Sequence, residues 1–214
     1  MSNPVFNINQ EDAYLYTIDN YLAPKYADYL FVEGDKLPLI HRPKMLSGFA
    51  KRDVSFYSKT VPYYKFAGQK TRTQGCPEFI ENLITTVNKS FENVLSGMGF
   101  KLNAILVNRY NSGEDIIGSH SDSEKQLKQE LIIAMSVFKD ITGTRKFRIR
   151  RVDGGKINDA NFLDIITKHG QLLVMGGKFQ EIFKHEIPAE KLNKKAYRIS
   201  YTIRSHSENE KDYD

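Results

Sequence analysis

Apolar residues along this chain recur at two periods, and the change from one to the other divides it. From Pro77 to Leu95, the positions Phe79, Ile80, Leu83, Ile84, Val87, Phe91, Val94 and Leu95 fall on one helical stripe. Pro77 stands where a first-turn proline is tolerated, and Gly97 and Gly99 close the pattern. The spacing predicts one amphipathic helix over Pro77–Leu95, lying against a sheet. Beyond it the pattern shortens. Ala104–Tyr110, Leu131–Phe138, Lys146–Val152, Gln171–Met175 and Tyr197–Arg204 are rich in β-branched and aromatic residues and are separated by turn signals, so they read as strands. Residues 53–68, DVSFYSKTVPYYKFAG, read as one or two short strands with a turn at Pro62. Many strands at short spacing behind one helix predict a mostly β fold with flanking helices, a sandwich or jelly roll covered on one side. Residues 1–44 mix short apolar runs with Pro24, Pro38 and Pro43 and are expected to form an N-terminal extension, while residues 206–214 read as a charged, frayed tail.

Composition narrows the class. The 214 residues are 40% hydrophobic with a net charge of +5, enough for one domain with a core and a moderate attraction to polyanions. Cys76 is the sole cysteine, which precludes an internal disulfide and points to a reducing compartment. No apolar run approaches a membrane span, and the first residues lack the basic and apolar blocks of a signal peptide. A soluble intracellular monomer is expected, in the nucleus or the cytoplasm.

Chemistry concentrates in NRYNSGEDIIGSHSDSE, residues 108–124. His120 and Asp122 are two apart, so on extended backbone they project to the same side. An imidazole nitrogen and a carboxylate oxygen can take adjacent positions on a divalent metal. His185, in the apolar IFKHEIP, is the best-placed third ligand. Two His and one carboxylate leave one metal face open, the arrangement of non-haem Fe(II) oxygenases. A surface turn with an ordinary ion pair, and a packed histidine, are the competing readings. In RISYTIR, alternation puts Arg198, Ser200, Thr202 and Arg204 on one face and Ile199, Tyr201 and Ile203 on the other. Two guanidiniums with two hydroxyls between them outline a dicarboxylate receptor, although a solvated strand face has the same composition. Asn108 and Tyr110 alternate with Arg109 on the strand before the loop and can donate to carboxylate oxygens.

Taken together, NRY, the glycine-bearing loop, HSD with Glu124, GQLLVMGGKFQEIFKHEIP and RISYTIR resemble the AlkB family of Fe(II)- and 2-oxoglutarate-dependent nucleic-acid dealkylases. The likeness runs from about Asn103 to Arg204 and more weakly back to Pro43. It implies a double-stranded β-helix (jelly-roll) core over 101–205, with a nucleotide-recognition lid and supporting helix over 45–100. It implies His120, Asp122 and His185 as ligands of Fe(II), with O2 and 2-oxoglutarate as co-substrates. Arg198 would hold the distal carboxylate of 2-oxoglutarate with help from Tyr110; Arg204 and Asn108 would lie near the chelating end, with Ser200 and Thr202 lining the pocket. The implied reaction is oxidative demethylation of bases of the 1-methyladenine and 3-methylcytosine type in DNA or RNA, releasing formaldehyde, succinate and carbon dioxide. Glu124 matches an acidic position used at the substrate base, and Tyr64 and Phe66 match the segment that lines the base pocket.

Outside that likeness, Lys44 and Arg148, the latter in the alternating RKFRIRRV, are candidate phosphate contacts, and a solvated outer face is the plain alternative. The segment DKLPLIH before Pro43 lacks an aromatic wedge for opening a duplex, so single-stranded DNA or RNA stands at least level with duplex as the partner. The same cofactor chemistry on a protein or small molecule, or a non-catalytic nucleic-acid-binding module, remain as other classes.

Overall fold

The computed structural model describes residues 6–45, 48–66, 69–153, 156–157 and 161–214. In chain order the elements begin with β1 (Phe6–Gln10), β2 (Ala13–Ile18), α1 (Pro24–Asp35), β3 (Lys44–Met45), β4 (Gly48–Phe49) and β5 (Asp53–Ser58). Next come β6 (Tyr63–Phe66), β7 (Gln69–Arg72), α2 (Glu78–Ser90), α3 (Glu92–Met98), β8 (Ala104–Tyr110), β9 (Ile117–His120) and β10 (Leu127–Phe138). The chain continues through β11 (Thr144–Asp153), β12 (Lys156–Ile157), β13 (Leu163–Lys168), β14 (Gln171–Gly177), α4 (Phe179–Ile182), β15 (Phe183–Ile187) and β16 (Arg198–His206), and closes with a 3-10 turn at Glu210–Tyr213.

Two antiparallel sheets face each other. The larger runs β1-β2-β14-β10-β16-β8-β5, and the smaller runs β12-β11-β15-β9 with β13 also paired to β11. Alternation on β16 explains the layering. Ile199, Tyr201 and Ile203 pack on Leu30 of α1 and on Ile80, Leu83 and Val87 of α2, so the helices cover the outer face of the larger sheet. On the inner face, Leu15, Ile132, Leu173 and Met175 meet Phe147, Ile149, Phe183 and Ile187 of the smaller sheet. Each such side chain, fully buried, contributes roughly 1.5–3 kcal/mol. The inner core fills one end of the sandwich and leaves polar strand faces opposed at the other. The mostly β architecture read from the strand pattern is therefore the one observed. None of the helices among the described residues is long and apolar enough to cross a membrane.

Four expectations change. Residues 6–45 are not an appended extension: β1 and β2 extend the larger sheet through the β2–β14 ladder, and α1 lies beneath it. In the same way β5, expected in a separate lid unit, is the edge strand beside β8. The last residues do not fray, because Tyr213 is 1% exposed in a small cluster with Phe56, Val61 and Leu106. The predicted long helix breaks at Phe91, which leaves helical geometry (φ −110, ψ 17) with its ring in the core. The break turns Val94 outward to 44% exposure and lets Leu95 keep a buried position; Gly99, at φ +71, then ends α3.

The seat of α1 on the sheet is close. Tyr201 donates its hydroxyl to the Leu30 carbonyl at 2.6 Å, and a Cβ on Gly34 would stand 2.0 Å from that hydroxyl. Gly34→Ala is expected to lower stability by about 1–3 kcal/mol, read as a lower urea midpoint at unchanged slope; an unchanged midpoint would show that α1 contributes little to the fold.

Candidate active site

Alternation delivers polar side chains to the open end between the sheets. Arg198, Ser200, Thr202 and Arg204 of β16 line a cavity there. Across the β8–β16 ladder Ser200 pairs with Asn108 and Arg198 with Tyr110, so an amide and a phenol join the same wall. The smaller sheet supplies the opposite wall, where His185 of β15 is the cross-strand neighbour of His120 at the end of β9. Just past β9, Asp122 brings Oδ1 to 3.6 Å from His120 Nε2. One ligand atom from each of His120, Asp122 and His185 lies within 4.8 Å of the other two.

The donor set suits a divalent metal. His120 Nδ1 lies 2.8 Å from the Gly118 carbonyl oxygen. A carbonyl only accepts, so Nδ1 carries the proton and Nε2 keeps its lone pair. Burial lowers the pKa of His120 against the pull of Asp122, and burial with the neighbouring His120 takes His185 down to about 3. Both rings are then neutral, the form a metal requires. Burial works to raise the Asp122 carboxyl, but the Arg204 guanidinium outweighs it and holds Asp122 below the ordinary carboxylate range. Its Oδ1 accepts from Arg204 Nη2 at 3.0 Å, while its buried Oδ2 has no protein partner. An anionic oxygen left so is costly, and a cation held by the two imidazoles satisfies it. Behind the ligands, the Asp122 amide donates to Gln180 Oε1 at 2.9 Å, and Phe147 stacks on His185 at 5.2 Å.

Arg204 also donates from Nη1 to Glu124 Oε1 at 3.2 Å, and the Tyr64 hydroxyl donates to the same oxygen at 3.3 Å. Burial raises the Glu124 carboxyl against the pull of Arg204, and the charge of Asp122 raises it further. The Tyr64 ring stacks on Phe56 at 4.5 Å. Arg198 donates from Nε to Ser136 Oγ at 3.0 Å and from Nη2 to Ser200 Oγ at 3.1 Å, and its buried Nη1 has no hydrogen-bond partner. Burial brings its pKa down to about 10, with the Tyr110 phenol opposing, so it stays cationic at neutral pH. A buried cation with an unused donor fits a ligand carboxylate.

The expected residues divide clearly. His120, Asp122, His185, Asn108, Tyr110, Tyr64, Arg198, Ser200, Thr202 and Arg204 line one cavity, and Glu124 joins it through Arg204 and Tyr64. The outlined two-arginine receptor needs refinement, because Arg204 is already engaged by two carboxylates through Nη1 and Nη2 and keeps only a buried Nε unpaired, whereas Arg198, which meets only neutral hydroxyls, keeps Nη1 unpaired. Lys44 is exposed at the rim of an adjoining groove of about 270 Å³, which shares Tyr64 and Arg52 with the metal cavity. Phe66 belongs to β6, but its side chain lies outside the described residues. Arg148 is not brought to the site. It forks onto Asp164 at 2.6 and 2.9 Å and lies 3.7 Å over the Phe162 ring, so its charge is met on the smaller sheet and the expected phosphate contact is withdrawn.

Two buried residues of the site's surroundings were placed wrongly or only loosely. Arg52, 6% exposed, donates from Nε to Asn108 Oδ1 at 2.6 Å between cavity and groove. His206, assigned to the tail, ends β16 at 4% exposure, with its ring edge-on to Phe56 at 5.1 Å. Extending the alternation of RISYTIR by two residues would have found it.

Known proteins agree with this geometry. The chain belongs to the 2OG-Fe(II) oxygenase superfamily, whose family model matches residues 14–204. The cofactor set of that class is Fe(II), 2-oxoglutarate and O2. Within it the likeness is to AlkB-type members. The chain is 31% identical over 133 residues to alpha-ketoglutarate-dependent dioxygenase alkB homolog 3 of Bos taurus, covering 60% of this chain and 44% of that protein. It is 31% identical over 156 residues to DNA oxidative demethylase ALKBH2 of Bos taurus, covering 72% and 52%. The chain thus spans about half the length of these relatives. The solved structure of OsALKBH1 matches with a TM-score of 0.61 at 13% identity, over 89% of this chain and 97% of that one, which shows the shared fold.

Burial takes His206 from the ordinary 6.5 down to about 3, with Arg204 adding. The unfolded chain therefore takes up the proton first. The contribution to stability is full above about pH 6.5 and is lost progressively as pH falls toward 3. His206→Leu is expected to flatten the fall of unfolding free energy across that window by up to about 1.4 kcal/mol per pH unit, measured on metal-free protein by denaturant titration; an unaltered slope would count against the buried neutral ring.

Proposed function

We propose that this chain is an oxidative demethylase of alkylated nucleobases. The observation that carries the reading is the juxtaposition of the His120–Asp122–His185 cluster with a carboxylate receptor on one side and an acid–aromatic wall on the other. Bound by the three ligands, Fe(II) with 2-oxoglutarate and O2 supplies the oxidation of an N-methyl group, so that formaldehyde, succinate and carbon dioxide leave and the parent base remains.

In this reading the protein binds, orients and shields. Arg198 meets the distal carboxylate of 2-oxoglutarate with its spare Nη1, steadied by Ser136 and Ser200 and faced by the Tyr110 ring. Asn108 and Thr202 line the same pocket. Arg204 keeps Asp122 ionised and aimed, and fixes Glu124 beside it. A base such as 1-methyladenine or 3-methylcytosine is cationic, and an acidic wall attracts it over its neutral parent. Tyr64 is the stacking wall for a base lifted from its strand. Lys44 and Arg72, both exposed around the groove, favour a phosphate backbone. The names of the relatives support the substrate class, one being a DNA oxidative demethylase.

Strandedness rests on two opposed features. The lack of an aromatic in DKLPLIH, residues 35–41, favours single-stranded DNA or RNA, whereas Phe49, 72% exposed on β4, is the side chain with which a duplex would be opened. A panel of single- and double-stranded methylated oligonucleotides separates them. Formaldehyde release from that panel also separates base demethylation from the same chemistry on a protein or small molecule, and from binding without turnover.

Asp122→Ala is expected to abolish formaldehyde release in protein that still folds, with stability lowered by up to about 3–5 kcal/mol because Arg204 loses a buried partner; surviving turnover would remove Asp122 from the metal. Glu124→Ala should lower demethylation on the order of ten- to a hundredfold while changing uncoupled 2-oxoglutarate decay much less. Equal losses in both assays would rule out a base-wall role for Glu124.

A further inference from the structure

The segment after β16 forms a seam that the chemistry above does not use. The β6–β7 hairpin carries Tyr64, yet it joins neither large sheet. Besides the stack of Tyr64 on Phe56 and the links of Gln74 to Ser55, Phe56 and Ser58 on β5, the hairpin is backed by residues 207–214. Tyr213 is buried among Phe56, Val61 and Leu106, and Tyr63 and Tyr64 rest against that cluster. Tyr63 donates its hydroxyl to Glu210 Oε1 at 2.9 Å. Lys65 Nζ donates to the carbonyls of Tyr213 and Asp214 at 3.2 and 3.4 Å, and Lys70 Nζ to Asp214 Oδ1 at 3.0 Å. On the other side the segment is tied to the sandwich: Gln126 Nε2 donates to the Asp212 carbonyl at 2.6 Å, and Asn103 Nδ2 to Glu208 Oε1 at 3.2 Å. One short stretch thus bonds the hairpin in front of it and the starts of β8 and β10 behind it.

We infer that residues 207–214 are a positioning clasp for the substrate wall. The clasp holds the β6–β7 hairpin, and through it the Tyr64 ring and its bond to Glu124, at the mouth of the metal cavity. Tyr213 is the positioning residue at its centre, since exposed ion pairs contribute little individually and its ring is the buried part of the seam. The inference rests on Tyr64 and Glu124 being base contacts. A merely solvated acidic tail makes the opposite forecast about charge. Between Glu208 and Asp214 the chain carries four carboxylates and one lysine, and removing a carboxylate from a free tail strengthens binding of a polyanion. Removing one from a clasp weakens it, because the hairpin loosens.

The test compares Tyr213→Ala, Tyr213→Phe and Glu210→Ala with wild type in the full chain. Hydrogen exchange of the hairpin amides is measured beside affinity for a single-stranded oligonucleotide containing 1-methyladenine, at fixed salt. Tyr213→Ala should speed exchange in the hairpin and weaken binding about tenfold, as when a competent state falls to about one tenth of the population. Tyr213→Phe, which keeps the ring and loses only the bond to the Ser207 carbonyl, should restore both. Glu210→Ala should weaken binding severalfold despite the lost negative charge. The visible band of the anaerobic Fe(II)–2-oxoglutarate complex should be the same in all four. Unchanged hairpin exchange in Tyr213→Ala overturns the clasp; so does acceleration spread over both large sheets, and so does equal or tighter binding by Glu210→Ala. If wild type binds no methylated oligonucleotide, the demethylase reading falls, and hairpin exchange alone decides the clasp.

Discussion

A single buried guanidinium between two carboxylates organises the site. Arg204 is 3% exposed and bonds both Asp122 and Glu124. Burial alone would drive the guanidinium toward deprotonation and both acids toward neutrality; the mutual attraction reverses this for Arg204 and Asp122 and leaves Glu124 raised. Breaking such a pair typically costs about 3–5 kcal/mol, because a charge is left buried without a partner. The contact therefore fixes the rotamers of both acids from one strand, and does so before any metal or substrate arrives.

The rest of the architecture serves that strand. β16 can present five polar residues inward because its other face is held by α1 and α2, and because β10 and β8 flank it on both edges. Such a strand, in which all nine residues are buried, has no solvated face to absorb a misplaced charge. Each inward polar group must find a partner or a ligand. Arg198 and Arg204 solve this differently: one meets only neutral hydroxyls and retains Nη1 for a small anion, while the other is charge-matched by two protein carboxylates through Nη1 and Nη2 and leaves only its Nε unpaired. That asymmetry distinguishes a ligand-gripping arginine from an orienting one, although both stand on the same face of one heptapeptide.

The substrate side is built from looser material. β3–β4 and β6–β7 are short pairs outside the two sheets, and they border the groove that meets the metal cavity at Arg52 and Tyr64. Stability is lower where few ladders cross, and binding elements are commonly drawn from such regions. Here the terminal segment supplies lateral support, with Tyr213 packed behind the hairpin and the Glu124–Tyr64 bond in front. Rigid chemistry and adaptable recognition thus lie side by side, joined through Arg204.

Local pattern was enough to read β8, β10, β11, β14 and β16, the facing of RISYTIR, and the pairing of His120 with Asp122. Each depends on alternation over a few residues, and alternation is a property of the backbone itself. The approach of His185 to His120, 65 positions upstream by their numbers, was a guess from residue type, confirmed in space only by the β9–β15 ladder. The integration of residues 6–45, the burial of Arg52 and Tyr213, and the neutralisation of Arg148 by Asp164 left no periodic mark. They arise from long-range pairing of strands whose partners are not adjacent in the chain. Whether an arginine is spent on a protein carboxylate or kept for a ligand is a matter of which neighbours the folded sheets bring within 3 Å or so, and no one-dimensional pattern encodes that distance.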